Sequence, residues 1–319
     1  MINNKRGMEF GFSWIFVIIV GAVIIFIVIY AVNKFVGTER RVSDTFISAE
    51  LNNLINPIET NLENSKYVKI KFLDETRFYN ECQTTGNFGK QQISTSTKLG
   101  IGDEWGQKSV RKSSFNKYLF SRKVEEGKEL NAIVKPFYNP YKVGDLTFIY
   151  SGDYCFVSPP ADIEEELQEL SGSGSINIGI NITTNPNQCA PGKAIVCFNQ
   201  IGCDINVNLG SQVVSRSSPE DDVFYEGDLI YAAIFSDKEL YECQLKRLMK
   251  RTSELAYVYS LKSGFLTSQG CSSNLQGDLA SFANILSNTN SSEDFLRDVV
   301  PMANDLGRKN DAISKCKVF

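Results

Sequence analysis

No histidine occurs among the 319 residues of this chain. Histidine is the commonest general base, the partner of the serine or cysteine nucleophile in many hydrolases and the commonest metal ligand. The sequence also lacks a C-x-x-C spacing, a phosphate-binding P-loop, a G-x-G-x-x-G run and a G-x-S-x-G elbow. These absences argue against histidine-dependent catalysis, a cysteine metal site and nucleotide binding. We therefore expect a non-enzymatic protein with no cofactor, no metal and no catalytic residue.

An excess of positive charge is missing as well. The chain carries 33 Lys and Arg against 37 Asp and Glu, which gives a net charge of −4. Because nucleic-acid binders usually show a basic footprint, we expect no nucleic-acid partner. The 42% hydrophobic and 22% charged residues are ordinary for a globular protein, and the length suggests one or two soluble domains.

The most informative feature present is an apolar run from Phe10 to Val32 without a charged residue. About 20 residues of helix cross a bilayer core, and a helix satisfies its own backbone hydrogen bonds in lipid. Cleaved secretory signals have a shorter apolar core followed by small residues, whereas Asn-Lys-Phe follows here. We predict an uncleaved transmembrane helix at residues 10–32 after a short tail at 1–9. A pilin-type signal and an ordinary cleaved signal are the alternatives.

Three features predict that the large C-terminal part lies outside the cytoplasm. The N-terminal tail is short, the number of cysteines is even, and two N-x-S/T acceptors make Asn181 and Asn290 glycosylation candidates. We therefore expect a single-pass protein of the cell membrane with its N-terminus in the cytoplasm. The disulfide candidates are Cys82, Cys155, Cys189, Cys197, Cys203, Cys243, Cys271 and Cys316.

Sequence alone cannot choose among the possible cysteine pairings. Proximity predicts that two of Cys189, Cys197 and Cys203 pair locally. A bridge involving Cys243, Cys271 or Cys316 is expected to staple the C-terminal part. Buried free thiols in a reducing compartment are the alternative.

The chain after the apolar run divides into a stalk and a strand-rich region. Apolar residues at three- and four-residue steps predict an amphipathic helical stalk over 33–66, which Pro57 kinks or interrupts. Strand-like patterns then occur at 67–73, 132–138, 146–150, 154–157, 175–183, 193–199 and 203–209. The continuously apolar LIYAAIF run at 229–235 predicts a central strand.

An acidic segment and a Ser/Gly run interrupt the strand-rich region. Residues 162–170 predict a short helix, and the SGSGS run at 171–175 predicts a flexible connector that marks a possible division into two β subdomains. The acidic clusters Glu164–Glu166 and Glu220–Asp222 are expected to be solvated surface, because neither follows the pattern of a calcium loop.

From Ser236 onward the hydrophobic period becomes helical. Residues 236–239 fit a capping box, a buried face follows, and Gly264 predicts the end of this helix. Further helices are expected at 275–286 and 293–315. Four basic residues form a patch that we expect to face solvent, with anionic lipid or an acidic partner as the alternative. They are Lys246, Arg247, Lys250 and Arg251.

The N-terminal layout resembles that of type IV pilins and their archaeal relatives. Residues 5–7 read Lys-Arg-Gly before the apolar run, and a half-apolar, half-amphipathic helix is followed by a β-rich domain. The resemblance covers residues 5–66 and implies cleavage after Gly7, with Met8 as the new N-terminus and the apolar half-helix in a filament core. The family usually has glutamate at the fifth mature position, where this chain has Phe12.

We therefore predict an α+β fold with a transmembrane helix, a helical stalk, an antiparallel β-rich extracytoplasmic domain at 67–235 with disulfides, and a helical C-terminal subdomain at 236–319. The predicted function is non-catalytic binding or assembly at the cell envelope. Membrane lipid is one partner, and other envelope proteins or further copies of the chain are the others. The alternatives are a pilin-like filament or secretion-system subunit and a membrane-anchored hydrolase that uses carboxylates.

Overall fold

The computed structural model describes residues 14–32, 65–98, 104–172, 176–216, 221–271 and 273–319. The first described element is helix α1, Trp14–Val32, which occupies most of the predicted transmembrane run. The processing site at Gly7 and Met8 lies outside the described residues, and so does nearly all of the predicted stalk. The remaining segments form an α+β arrangement, as predicted.

Within the described residues, one six-stranded sheet has the order β3-β2-β1-β5-β6-β4. Its neighbouring strands are antiparallel, except that β4 is parallel to β6. The long strands β1 and β5 form its centre. Its strands are β1 (Lys66–Gln83), β2 (Lys90–Thr97), β3 (Lys112–Ser114), β4 (Tyr118–Phe120), β5 (Val124–Tyr138) and β6 (Lys142–Tyr150).

A second six-stranded sheet in the described part has the order β12-β11-β10-β9-β7-β8. Its strands are β7 (Tyr154–Val157), β8 (Ile180–Thr183), β9 (Ala194–Phe198), β10 (Ile205–Asn208), β11 (Val213–Ser215) and β12 (Val223–Phe224). Strand β7 is parallel to β8 and to β9, and β9 is parallel to β10. The prediction of an antiparallel domain is therefore wrong, because both sheets are mixed. Polar–apolar alternation reports one buried face of a strand and says nothing about the direction of its neighbour.

One described helix, α2, lies between β7 and β8, and the helices from α3 to α7 follow the last strand. The acidic segment forms α2 as predicted, and the connection through it lets β8 run parallel to β7. The helices are α2 (Ala161–Leu170), α3 (Leu229–Phe235), α4 (Lys238–Ser268), α5 (Gln276–Asn288), α6 (Ser292–Asp294) and α7 (Val300–Asp311). A π-helical turn, Phe295–Val299, joins α6 to α7.

The LIYAAIF run forms helix α3, so the predicted central strand is wrong. Every side chain of Leu229–Phe235 is buried. A short, continuously apolar run has no period that separates a buried strand from a buried helix, and here the helix is formed. The helical part of the chain therefore begins inside the range that we assigned to the β-rich domain.

Helix α4 runs past Gly264, where we predicted its end, and continues to Ser268. A Cβ atom at position 264 would lie 2.9 Å from Nε2 of Gln276, at the start of α5. Glycine therefore serves the close approach of α4 and α5 here and does not end the helix. The predicted capping box of Ser236 and Glu239 is not formed. The helix begins one residue later, with Asp237 at the N-cap position, and Glu239 pairs with Lys123 instead.

One hydrophobic core spans both sheets and the C-terminal helices. Phe235 of α3 lies at its centre and stacks on Tyr150 with ring centroids 4.3 Å apart, and Tyr154 meets it edge-on at 4.9 Å. Aromatic pairs of this kind stabilise a core beyond the area that they bury. This core contains residues from before and after the SGSGS run, such as Tyr154 and Ile178, and the division near 171–175 stays a prediction.

The eight cysteines of the chain form four disulfides. These are Cys82–Cys243, Cys155–Cys189, Cys197–Cys203 and Cys271–Cys316. The first links β1 to α4 across a sequence separation of 161 residues, so it ties the first sheet to the helical part. Disulfides in this number are typical of proteins that fold in an oxidising compartment outside the cytosol.

Candidate functional site

Helix α1 is apolar around its whole circumference. Its mean hydropathy is 3.3, and none of its residues is buried against the rest of the described chain. It is the one described helix that is long and apolar enough to cross a bilayer. A helix of this length and composition near the N-terminus is typical of a membrane anchor or a signal sequence.

The basic patch on α4 faces inward, so the expectation of a solvated or lipid-facing patch is wrong for its central residue. Arg247 is fully buried. Its guanidinium donates to the backbone oxygens of Lys117 and Phe115, each at 2.8 Å, and of Phe88 at 3.2 Å. It also donates to Gln244 Oε1 at 2.6 Å. Because no carboxylate accompanies it, burial lowers the pKa of Arg247 to about 10.

Two of the other three cations of the patch also bind backbone oxygens of the first sheet and its loops. Lys250 donates to Thr84 at 2.7 Å, and Arg251 donates to Val143 at 2.8 Å. Sequence periodicity placed these side chains on a polar helix face. Only the tertiary structure supplies the carbonyl groups that they bind, and the patch therefore positions α4 on the first sheet.

A buried polar chain continues this contact into the sheet. Gln244 donates to Gln91, Gln91 donates to Asn80, and Asn80 donates to Ser121 Oγ at 2.8 Å. Fully satisfied buried networks fix the relative position of the elements that they join. The Cys82–Cys243 disulfide lies beside the network and adds a covalent link between the same strand and helix.

The acidic cluster at 164–166 is also only partly solvated. Glu166 lies 2.6 Å from Lys135 Nζ and accepts hydrogen bonds from Tyr231 and Ser65, each at 2.7 Å. Lys135 also pairs with Asp228 at 2.5 Å. Burial by itself raises the pKa of Glu166, but the bonds from Lys135, Tyr231 and Ser65 outweigh it and lower the pKa. The cluster therefore anchors α2 to β5 and α3.

A cleft of about 450 Å³ lies next to the Cys82–Cys243 disulfide. Glu81 and Glu239 contribute carboxylates to its lining. Glu81 pairs with Arg111 at 3.1 Å, and Glu239 pairs with Lys123. A carboxylate hydrolase needs one carboxylate as acid and one as base or nucleophile, and here each carboxylate is paired with a cation. This arrangement gives the hydrolase hypothesis no positive support.

A larger cleft of about 810 Å³ lies between α2 and strand β8. It is lined by Leu167, Gln168, Ser171, Ile176, Asn177, Ile178, Ile180, Asn181, Ile182, Thr183, Thr184 and Gln188. These lining residues include amides, hydroxyls and isoleucines but no charged and no aromatic side chain. We call this the β8 cleft. The sequence did not predict this cleft. It forms because β8 runs parallel to β7, which places β8 beside α2, and strand direction could not be predicted from the sequence pattern.

The two glycosylation candidates are both exposed. Asn181 lies on β8 and lines the β8 cleft, whereas Asn290 lies between α5 and α6 and donates to the backbone oxygen of Asn288 at 2.9 Å. Both acceptors remain predictions. Within the described residues, no group of three or more cysteine or acidic side chains is arranged to hold a metal ion.

The C-terminal half of α4 carries an exposed apolar stripe that we did not predict. Tyr257, Val258, Leu261 and Phe265 are between 54% and 64% exposed. They follow three- and four-residue steps on the face opposite the buried one, so the signal was present in the sequence as a second apolar stripe. Exposed apolar side chains in a contiguous stripe are typical of interaction surfaces.

Comparisons of the chain with protein-family models, with curated proteins and with solved structures gave no match. The functional argument therefore depends on the geometry of the chain itself.

Proposed function

We propose that this chain is a single-pass membrane protein that acts by binding and assembly outside the cytoplasm, with its N-terminus inside. The apolar, unburied surface of α1 is the observation that supports this proposal most directly. The four disulfides support an oxidising location for the folded part. The uncharged β8 cleft and the apolar stripe on α4 are the surfaces through which the domain contacts partners.

The proposed mechanism is tethering. An anchor confines the domain to the membrane plane, which raises its effective concentration toward neighbours in the same membrane. Weak contacts through small surfaces then suffice for assembly. Membrane lipid is the partner of α1, and envelope proteins or further copies of the chain are the partners of the domain.

Alkaline extraction of membranes tests the anchor. We expect the chain to stay in the membrane pellet, and its disulfide-bearing part to be digested by protease added outside intact cells. The variant Ile19→Lys with Ile25→Lys places two charges in α1, each costing about 3 kcal/mol at the bilayer centre, and should be extracted. Ile19→Leu with Ile25→Leu is the matched control and should stay in the pellet. Extraction of the unaltered chain would refute the proposal.

A pilin-like filament subunit is the second candidate. The apolar circumference of α1 favours it, because a filament core buries such a helix as completely as lipid does. N-terminal sequencing of the mature protein separates the two functions. A start at Met8 indicates cleavage after Gly7, and a start at Met1 excludes the pilin-type route.

A further inference from the structure

Three of the four edges of the described sheets are protected against pairing with another strand. At the β12 edge, the backbone N–H of Phe224 donates to Ser292 Oγ at 3.0 Å, and Tyr241 donates to its carbonyl oxygen at 2.6 Å. The β4 edge lies under α4, and Asn80 donates to the carbonyl oxygen of Leu119 at 3.2 Å. At the β3 edge, Arg111 and Lys112 supply charge. Charge and coverage are the usual means by which proteins block edge pairing.

Strand β8 is the fourth edge, and within the described chain it pairs only with β7. The N–H groups of Tyr154 and Ser158 donate to the carbonyl oxygens of Gly179 and Thr183, at 2.7 and 2.8 Å. In a parallel pair, alternate residues point both backbone groups at the same neighbour. The N–H and C=O groups of Ile180 and Ile182 therefore point away from β7, toward the open side of the sheet.

The lining of the β8 cleft can meet an identical surface. It contains no charged side chain, so the cleft itself brings no like charges together, and the exposed Glu165 and Glu169 of α2 are not part of the lining. Its amide and hydroxyl side chains both donate and accept hydrogen bonds. The outward N–H groups of Ile180 and Ile182 can donate hydrogen bonds, and their outward carbonyl oxygens can accept them. A twofold contact requires such a self-complementary patch.

We propose that β8 pairs antiparallel with β8 of a second copy of this chain, around a twofold axis at Asn181. Ile180 of each copy then exchanges two backbone hydrogen bonds with Ile182 of the other, which gives four bonds in the symmetric pair. The contact joins two six-stranded sheets across the axis. This inference rests on the proposed function, since confinement of both copies to one membrane makes a contact of this size effective.

The proposed pairing also has a consequence for the glycosylation candidate Asn181. The side chain of Asn181 lies on the proposed axis, facing its own symmetry copy. An N-linked glycan there would keep the two strands apart because of its bulk. Pairing through β8 and glycosylation of Asn181 therefore exclude each other on one molecule, whereas glycosylation of Asn290 leaves the contact free.

The first test compares Ile182→Pro with Ile182→Val in the full chain, reconstituted in lipid vesicles, with dimer formation followed over a range of protein-to-lipid ratios. Proline removes the outward N–H of residue 182, which β7 does not use, so the strand keeps its own pairing. The pair loses two of its four bonds, and we expect the dimer dissociation constant to rise about tenfold or more. Ile182→Val should dimerise like the unaltered chain. Both variants keep α1, so self-association of that helix cannot explain a difference.

The second test does not depend on proline. Asn181 and its symmetry copy form a non-hydrogen-bonded pair with Cα atoms about 4.5 Å apart, which is within the span of a disulfide. Asn181→Cys should therefore cross-link two chains under mild oxidation, with the native disulfides intact by peptide mapping. Thr184→Cys is the matched control, because this exposed position lies far from its own copy and should not cross-link.

A monomeric chain at all concentrations would overturn the inference, and so would a dimer that Ile182→Pro leaves unchanged or equal cross-linking at positions 181 and 184. Complete glycosylation of Asn181 in the native protein would also overturn it. These outcomes leave the anchor untouched, because a monomer is still retained by alkaline-washed membranes. Extraction of the chain from those membranes would instead refute the proposed function.

Discussion

Replacement of Arg247 by methionine tests whether this side chain faces solvent or the protein interior, because the two orientations predict different losses in the free energy of unfolding. Methionine fills a similar volume but donates no hydrogen bond. On a solvated helix face the change would alter the free energy of unfolding by less than about 0.5 kcal/mol. In the structure, the same change removes the donor for three backbone oxygens and for Gln244.

The expected magnitude follows from those four bonds. A hydrogen bond from a charged donor contributes about 1.5–3 kcal/mol, and a buried acceptor left without a partner costs about 1–3 kcal/mol. Part of this is offset because the guanidinium of Arg247 is itself costly to bury, as its pKa of about 10 indicates. We expect Arg247→Met to lower the free energy of unfolding by about 3 kcal/mol. For a domain of this size, that corresponds to a midpoint lower by about 6–12 °C.

Thermal unfolding of the detergent-solubilised chain, followed by circular dichroism with the disulfides intact, measures this difference. Arg308→Met is the matched control, because the Arg308 side chain is 79% exposed and, among the described residues, forms an ion pair only with Asp305 of the same helix. The control should unfold within about 2 °C of the unaltered chain. Equal midpoints for the two variants would refute the inward orientation of the patch and the polar contact between α4 and the first sheet.

Two further predictions concern the other contacts that hold the domain together. The pKa of Glu166 is lower in the folded protein than in the unfolded chain, where it is about 4.3. The ionised carboxylate therefore stabilises the domain above that pH. This stabilisation is lost as the pH falls through the pKa of the folded state. Glu166→Gln should therefore be less stable than the unaltered chain at pH 7, by about 1–3 kcal/mol, and the two unfolding curves should converge toward pH 3; a constant difference would contradict this. Replacing the Cys82–Cys243 pair by serines should cost about 5 kcal/mol in urea titrations, and replacing the Cys197–Cys203 pair about 2 kcal/mol, because the first disulfide closes the longer loop. The reverse order would contradict the loop-closure argument.

Local periodicity predicted the helical elements well where one face is buried and the other is not. The face that begins at Tyr241 is buried as expected along most of α4, and the acidic segment forms α2. The same reasoning failed for Leu229–Phe235, where every side chain is buried and no period remains. It also failed for Gly264, whose missing side chain serves the contact with α5.

The sequence by itself determined that a helix at Trp14–Val32 is apolar on every side, that histidine chemistry is excluded, and that the rest combines strands with a helical C-terminal part. These properties depend on composition and on neighbours in the chain. The parallel strands, the buried Arg247, the β8 cleft and the long-range disulfide were decided only by tertiary structure. They depend on backbone groups that the fold brings together from distant parts of the chain. Every residue has a backbone carbonyl oxygen, so the sequence does not show which of these oxygens will accept a hydrogen bond from a distant side chain.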